Sequence, residues 1–113
     1  MRVGTLTKDD GTLVCARCAL ASRWWQRARG LLGRSSLSPD EGMLFNRTGS
    51  VHMMFMRFAI DVVFCDRELV VIDVEHGLKP WRAAARRGAK VVVELADGAA
   101  AGVHPGDRLV ISD

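Results

Sequence analysis

The 113-residue sequence predicts an α+β fold that is mainly β, a small antiparallel or mixed β-barrel or rolled sheet with one packed helix at about residues 23–32. Three features predict it. Short apolar runs rich in β-branched residues follow one another between turn formers. No long helical segments alternate with them, which argues against a doubly wound parallel sheet. One stretch alone, after Ser22, spaces its apolar residues at helical period.

The first strand is "TLVCARCALA" at 12–21, rich in β-branched and small apolar residues. Ser22 stands where a helix N-cap would stand. Trp24, Ala28, Leu31 and Leu32 then share one face while Arg23 and Arg27 take another, and Gly33 is a natural stop. "RSSLSPDEG" is a loop of turn formers. Strand-like runs follow at 42–45, 51–58, 59–65 and 69–75, with a hairpin turn at 66–68. "GLKPWRAAARRGA" reads equally as a loop or as one or two helical turns. "KVVVEL" is a short strand, "ADGAAAGVHPGD" a Gly-rich connection with room for a helical turn, and "RLVIS" a closing strand. Val62, Phe64, Val91, Val93 and Leu95 are the expected core of the central sheet.

At 49% hydrophobic and 26% charged residues, the composition is that of an ordinary globular protein, and the length predicts a single domain over 1–113. No window reaches the roughly 18 consecutive apolar residues of a spanning helix, and the first ten residues lack the apolar core of a secretory signal. The expectation is a cytoplasmic monomer with no transmembrane segment. The net charge of +3 is uneven. Residues 17–34 carry five arginines and no acid, 79–90 carry five cations and no acid, and 61–75 carry five acids against one arginine. Such alternation predicts a polarised surface without naming a partner.

Three cysteines make no disulfide framework. Cys15 and Cys18 form a lone C-x-x-C on a predicted strand, where residues three apart point to opposite faces. They are expected not to converge, and neither a metal nor a cofactor is predicted. His52, Met54 and Met56 could offer soft ligands to copper(I), but methionine is commoner as a core filler. Asp61 interrupts the apolar run "FAIDVVFC", and a carboxylate there needs hydrogen bonds or a cation to compensate its burial. Backbone amides, Arg29 or His52 are the expected partners.

The segments "RARGLLGR", "EGMLF", "VHMMFMRFAIDVVFCD", "VVIDVEHGLKPWR", "VVVELADGAA" and "GVHPGDRLV" occur in this order and spacing. Together, over about residues 12–112, they resemble the bacterial and archaeal family known as domain of unknown function 192. The resemblance implies a compact β-rich domain and supplies no activity, cofactor or partner. Arg29, Gly30, Gly42, Met43, Phe45, His52, Met56, Asp61, Phe64, Pro80, Glu94, Gly98, Gly106 and Asp107 fall on the family pattern. The three cysteines do not. Many relatives carry an export leader or lipid anchor.

Polar residues standing singly in apolar strands predict a small-ligand or protein-binding module with a polar site around Asp61 and Glu94. Its candidate ligand-binding residues are His52, Met56, Asp61, Pro80, Trp81 and Glu94, and Arg29 and Asp107 are candidate structural pairing residues. One alternative is an acid–base enzyme using Asp61, Glu94 and Asp107. The sequence carries none of the familiar catalytic signatures, so no catalytic residue is assigned. Another is nucleic-acid binding through 17–34 and 79–90, with Trp24, Trp25 or Trp81 stacking on bases. Solvated arginine faces are commoner than nucleic-acid surfaces, which disfavours that partner.

Overall fold

The computed structural model describes residues 2–21, 35–53 and 56–113. Nine strands account for all of the regular structure among them: β1 (Arg2–Lys8), β2 (Leu13–Ala21), β3 (Glu41–Asn46), β4 (Ser50–His52), β5 (Ile60–Cys65), β6 (Val71–Leu78), β7 (Ala83–Ala85), β8 (Val91–Ala96) and β9 (Leu109–Ser112). Among the described residues the architecture is therefore all β, against the α+β expectation. The expected helix at 23–32 lies outside the described residues, and so does Arg29. The two ambiguous connections hold no helix, since 83–85 forms β7 and 97–102 forms successive turns.

Seven strands form one curled sheet, a half-barrel, in the order β6-β5-β8-β3-β2-β1-β9. Neighbours are antiparallel except β2 and β3, which run parallel. Curling brings the outer strands together at one end, where Val70 bridges Arg108. Strand pairing begins nearer the N-terminus than expected. The "RVGTLTK" segment lacks the apolar alternation of a typical strand, but partners on both sides complete its ladder.

All six residues of β5 and all six of β8 are buried, because both faces of the sheet are covered there. The concave side packs Leu6, Val63, Val93 and Leu95 with Ala100 and Val103 from the connection before β9. The convex side packs Ile60, Val62, Phe64 and Val92 under Val51, Met53, Met56 and Leu37. β4 and β7 form a separate two-stranded ribbon. Arg86 docks it on the convex side through Asp73 (Nε to Oδ2, 2.6 Å) and Glu75 (Nη2 to Oε1, 3.1 Å), with its guanidinium 4.9 Å from the Phe64 ring centroid. The strand expected over 51–58 is shorter, for β4 stops at His52 and 56–59 are irregular. Met53, Met56 and Phe58 pack in the convex core from irregular chain, so their hydrophobicity reported burial and not extension.

Candidate functional site

Asp61 is fully buried on the concave side. Its Oδ1 accepts the Gly77 N–H at 2.9 Å and its Oδ2 the Ala100 N–H at 2.9 Å. The local sequence arranges both donors. Between Ile60↔Leu78 and Val62↔Glu75 the β5–β6 register slips, so β6 carries an extra residue opposite Asp61. Gly77 sits in this bulge at φ +64°, which turns its amide out of the ladder and toward the carboxylate. Ala100 lies in the turns after β8. One side chain thus ties β5 to the β6 bulge and to the connection that plugs the half-barrel. His76 Nδ1 stands 3.7 Å from Oδ2 with the imidazole largely exposed, while His52 is exposed on the distant ribbon and takes no part.

Glu94 is also buried, on the other side of the sheet. Residues directly opposite across a ladder share a face. Asp61 faces Leu95, and Val62 faces Glu94, so the two acids point to opposite faces of adjoining strands. The expected polar site around both does not assemble. Asp107 is elsewhere again, accepting the His104 N–H at 2.8 Å and pairing with Lys8 Nζ at 3.0 Å. That contact set, the His104 amide foremost, holds its carboxyl below the usual aspartate range. Of the three acids of the acid–base alternative, Asp61 and Asp107 have different partners among the described residues, and Glu94 lies on the opposite face of the sheet from Asp61.

Of the remaining candidates, Met56 is buried in the convex core. His52, Pro80 and Trp81 gather at one end of the ribbon. His52 pairs with Ala83, and the Met53 carbonyl accepts the Trp81 N–H at 2.8 Å, while the Met53 N–H donates to Arg82 at 2.7 Å. Trp81 is 62% exposed and adopts φ +67°. A shallow hollow of about 380 Å³ lies over β4 and β7, lined by Ser50, Val51, His52, Ala83, Ala84 and Ala85.

Cys15 and Cys18 do converge, against the expectation from simple alternation. Gly4 pairs with Cys18 and Leu6 with Cys15, two residues of β1 against three of β2. The bulge restores both thiols to the concave face, where they are buried and hydrogen-bonded to each other. The bond to Cys15, with burial second, pushes the Cys18 thiol far up. Burial pushes Cys65 up to about 12. Among the described residues no three of His, Cys, Asp and Glu are placed to hold a metal ion.

The basic segments are partly spent on structure, Arg86 on Asp73 and Glu75 and Arg17 on Asp40 at 3.0 Å. A different basic group was not legible. At one end of the sheet Arg47, Arg67 and Lys90 line a cleft of about 560 Å³. They come from three loops, and two of them stand outside the basic runs, so charge patterning along the chain gave no signal.

Comparison with known proteins places these features in a wider set. The model of DUF192, described as an uncharacterised ACR, matches residues 5–111. A UPF0127 protein of Thermococcus sibiricus is 31% identical over 101 residues, 82% of this chain and 63% of its own length. A UPF0127 protein of Pyrococcus furiosus is 48% identical over 63 residues, 53% of each chain. The chain thus spans less than two thirds of the length of these two relatives. Among solved structures, a "putative transcription regulator" from Sinorhizobium meliloti 1021 superposes with a TM-score of 0.81 at 27% identity, covering 96% of this chain and 92% of that one. A protein of unknown function from Novosphingobium aromaticivorans gives 0.77 at 26% identity, covering 96% and 83%.

Proposed function

This chain belongs to the DUF192 family of uncharacterised proteins, and from that premise we propose that it is a binding module that docks an extended polypeptide segment along the β4–β7 ribbon beside Trp81. The observation that carries the reading is Trp81 itself. A bulky side chain in the left-handed region is strained, and such strain persists where the surroundings fix it. Here backbone bonds to Met53 hold it, and the indole is turned largely to solvent. Exposed, rigidly held tryptophans serve well as anchors in protein interfaces.

The ribbon supplies the rest. β4 and β7 pair with each other and with no other described strand, so each offers an edge to an incoming chain. Ala83, Ala84 and Ala85 leave room for a peptide backbone, and His52, paired with Ala83, lines the same hollow. Asp61, Met56 and Glu94 belong to the framework in this reading.

Trp81→Gly tests it. Glycine accepts φ +67° without strain, and its greater freedom in the unfolded chain offsets that gain to within about 1 kcal/mol. The variant should fold as stably as the parent. Peptides selected from a displayed library on the parent domain should then lose binding to it by at least about tenfold. Enriched peptides that bind Trp81→Gly unchanged, or a library that yields none, would sink the proposal.

A further inference from the structure

The cleft at the end of the sheet follows from strand register. Asn46 on β3 pairs with Val91 on β8, and Val91 also pairs with Cys65 on β5. Three adjacent strands therefore end on one line. The next residues in each direction are Arg47, Lys90 and, after Asp66, Arg67. The Cys65 carbonyl accepts the Lys90 N–H at 2.8 Å, and the Lys90 carbonyl accepts the Thr48 N–H at 3.1 Å, so the loops are bound to one another. Gly49 packs so closely that a Cβ there would stand 2.6 Å from the Ala89 carbonyl oxygen. Arg47 is held at φ +60° at the cleft wall.

We propose that this cleft binds the phosphate group of a small phosphorylated molecule. Its eight lining residues include Arg47, Arg67 and Lys90 and no acid. Among the described residues none of the three cations forms an ion pair. Lys79, Arg82, Arg87 and Arg108 likewise form no ion pair among the described residues, so what sets Arg47, Arg67 and Lys90 apart is that they line one hollow together. Two guanidinium forks and an ammonium suit a dianion with several acceptor oxygens, which a lone carboxylate cannot saturate. Asn46 and the half-buried Thr48 line the same hollow, whose volume fits a small metabolite.

The neighbouring acids decide between a compact phosphate and a long polyanion. Asp66 caps its own turn, its Oδ1 accepting the Glu68 and Val70 N–H groups at 2.9 and 3.0 Å. Asp66 and Glu68 line an adjoining hollow with Arg67 and Lys90. A phosphate backbone leaving the cleft on that side would run past two carboxylates, whereas a single terminal phosphate stays clear of them. The site is separate from the Trp81 end of the ribbon and stands or falls independently of it.

The test is a titration of the amide spectrum with inorganic phosphate, a sugar monophosphate, citrate and a single-stranded oligonucleotide. The expected result is saturable shifts confined to residues 46–49, 66–68 and 89–91, with the sugar monophosphate binding more tightly than free phosphate. Arg67→Ala and Lys90→Ala, both at exposed positions, should each weaken binding by about tenfold or more. Arg82→Ala, an exposed cation away from the cleft, should leave it unchanged. The proposal is overturned by absent shifts at tens-of-millimolar ligand, by equal loss in Arg82→Ala, or by citrate binding as well as the phosphates. An oligonucleotide that binds tightest and shifts 79–87 overturns it too, in favour of a nucleic-acid surface.

Discussion

Asp61 shows what one carboxylate can organise. Its two oxygens each hold a backbone amide, one from the β6 bulge and one from the turns after β8. Asp61→Ala strands both donors in a dry environment and should cost about 1–3 kcal/mol in chemical denaturation, more if both are left fully unsatisfied. Asp61→Asn keeps one acceptor and sets an NH₂ against the other donor, so it should fall between alanine and the parent. If the alanine variant melted with the parent, the carboxylate would hold nothing together. Gly77→Ala should cost about 1 kcal/mol, since alanine resists φ +64° and its Cβ would come within 3.3 Å of Asp97 Oδ1. The thiols make a chemical prediction. Cys15, Cys18 and Cys65 are buried, and burial keeps Cys65 protonated at neutral pH. A thiol-reactive disulfide reagent should label none of the three in the native protein within minutes and all three in denaturant. Rapid native labelling would show that the concave core opens.

Among the elements, the β4–β7 ribbon is the one most dependent on a single side chain. Arg86 joins it to the convex face through two carboxylates and the Phe64 ring. Arg86→Ala should cost about 1–2 kcal/mol, because partly exposed ion pairs contribute little alone and the cation–π contact and charged hydrogen bonds supply the rest. The pairing has a pH signature. The Arg86 guanidinium, and next the Val74 N–H, hold the Asp73 carboxyl below its ordinary 3.8. A group depressed in the folded state adds stability above its unfolded pKa and loses it as pH falls through the folded one. The contribution is thus full above about pH 5 and fades as pH falls below 4, modestly because Asp73 is 44% exposed. Thermal melts of the parent should drop more steeply over that acid range than those of Arg86→Ala. Parallel acid limbs would mean that the pair is not formed in solution.

For the molecule as a whole, the two larger cores share one sheet. β5 and β8 separate them, which is why every residue of both strands is buried while β4 and β7 meet solvent on one side. Opening the centre of the sheet exposes both cores at once, whereas the ribbon can lift with only a small patch uncovered. Amide exchange should therefore be slowest in β5, β8 and β3 and fastest in β4 and β7, separated by orders of magnitude. Equal protection throughout would mean that the ribbon and sheet open as a unit. Leu95→Ala, at the meeting of β8 with the concave core, should cost about 2–5 kcal/mol.

Much of the sheet was legible in the sequence because its strands are short, β-branched and bounded by turn formers. The runs that became β2, β3, β5, β6, β8 and β9 could each be found from local residues, and Val62, Phe64, Val91, Val93 and Leu95 are buried as their alternation on doubly covered strands requires. β1 and β7 could not be found so, since small and charged residues become strands there only when neighbours complete the ladder. Likewise the importance of Asp61 was visible as a charge out of place, but its partners were not, because they are backbone amides 16 and 39 residues away that carry no residue-type signature. Face assignment failed at Cys15 and Cys18, since a bulge depends on the partner strand and resets the alternation of every residue beyond it. The separation of Asp61 from Glu94, and the meeting of Arg47, Arg67 and Lys90, came from register alone. Register is fixed by pairing across the sheet, and pairing is a property of the folded chain.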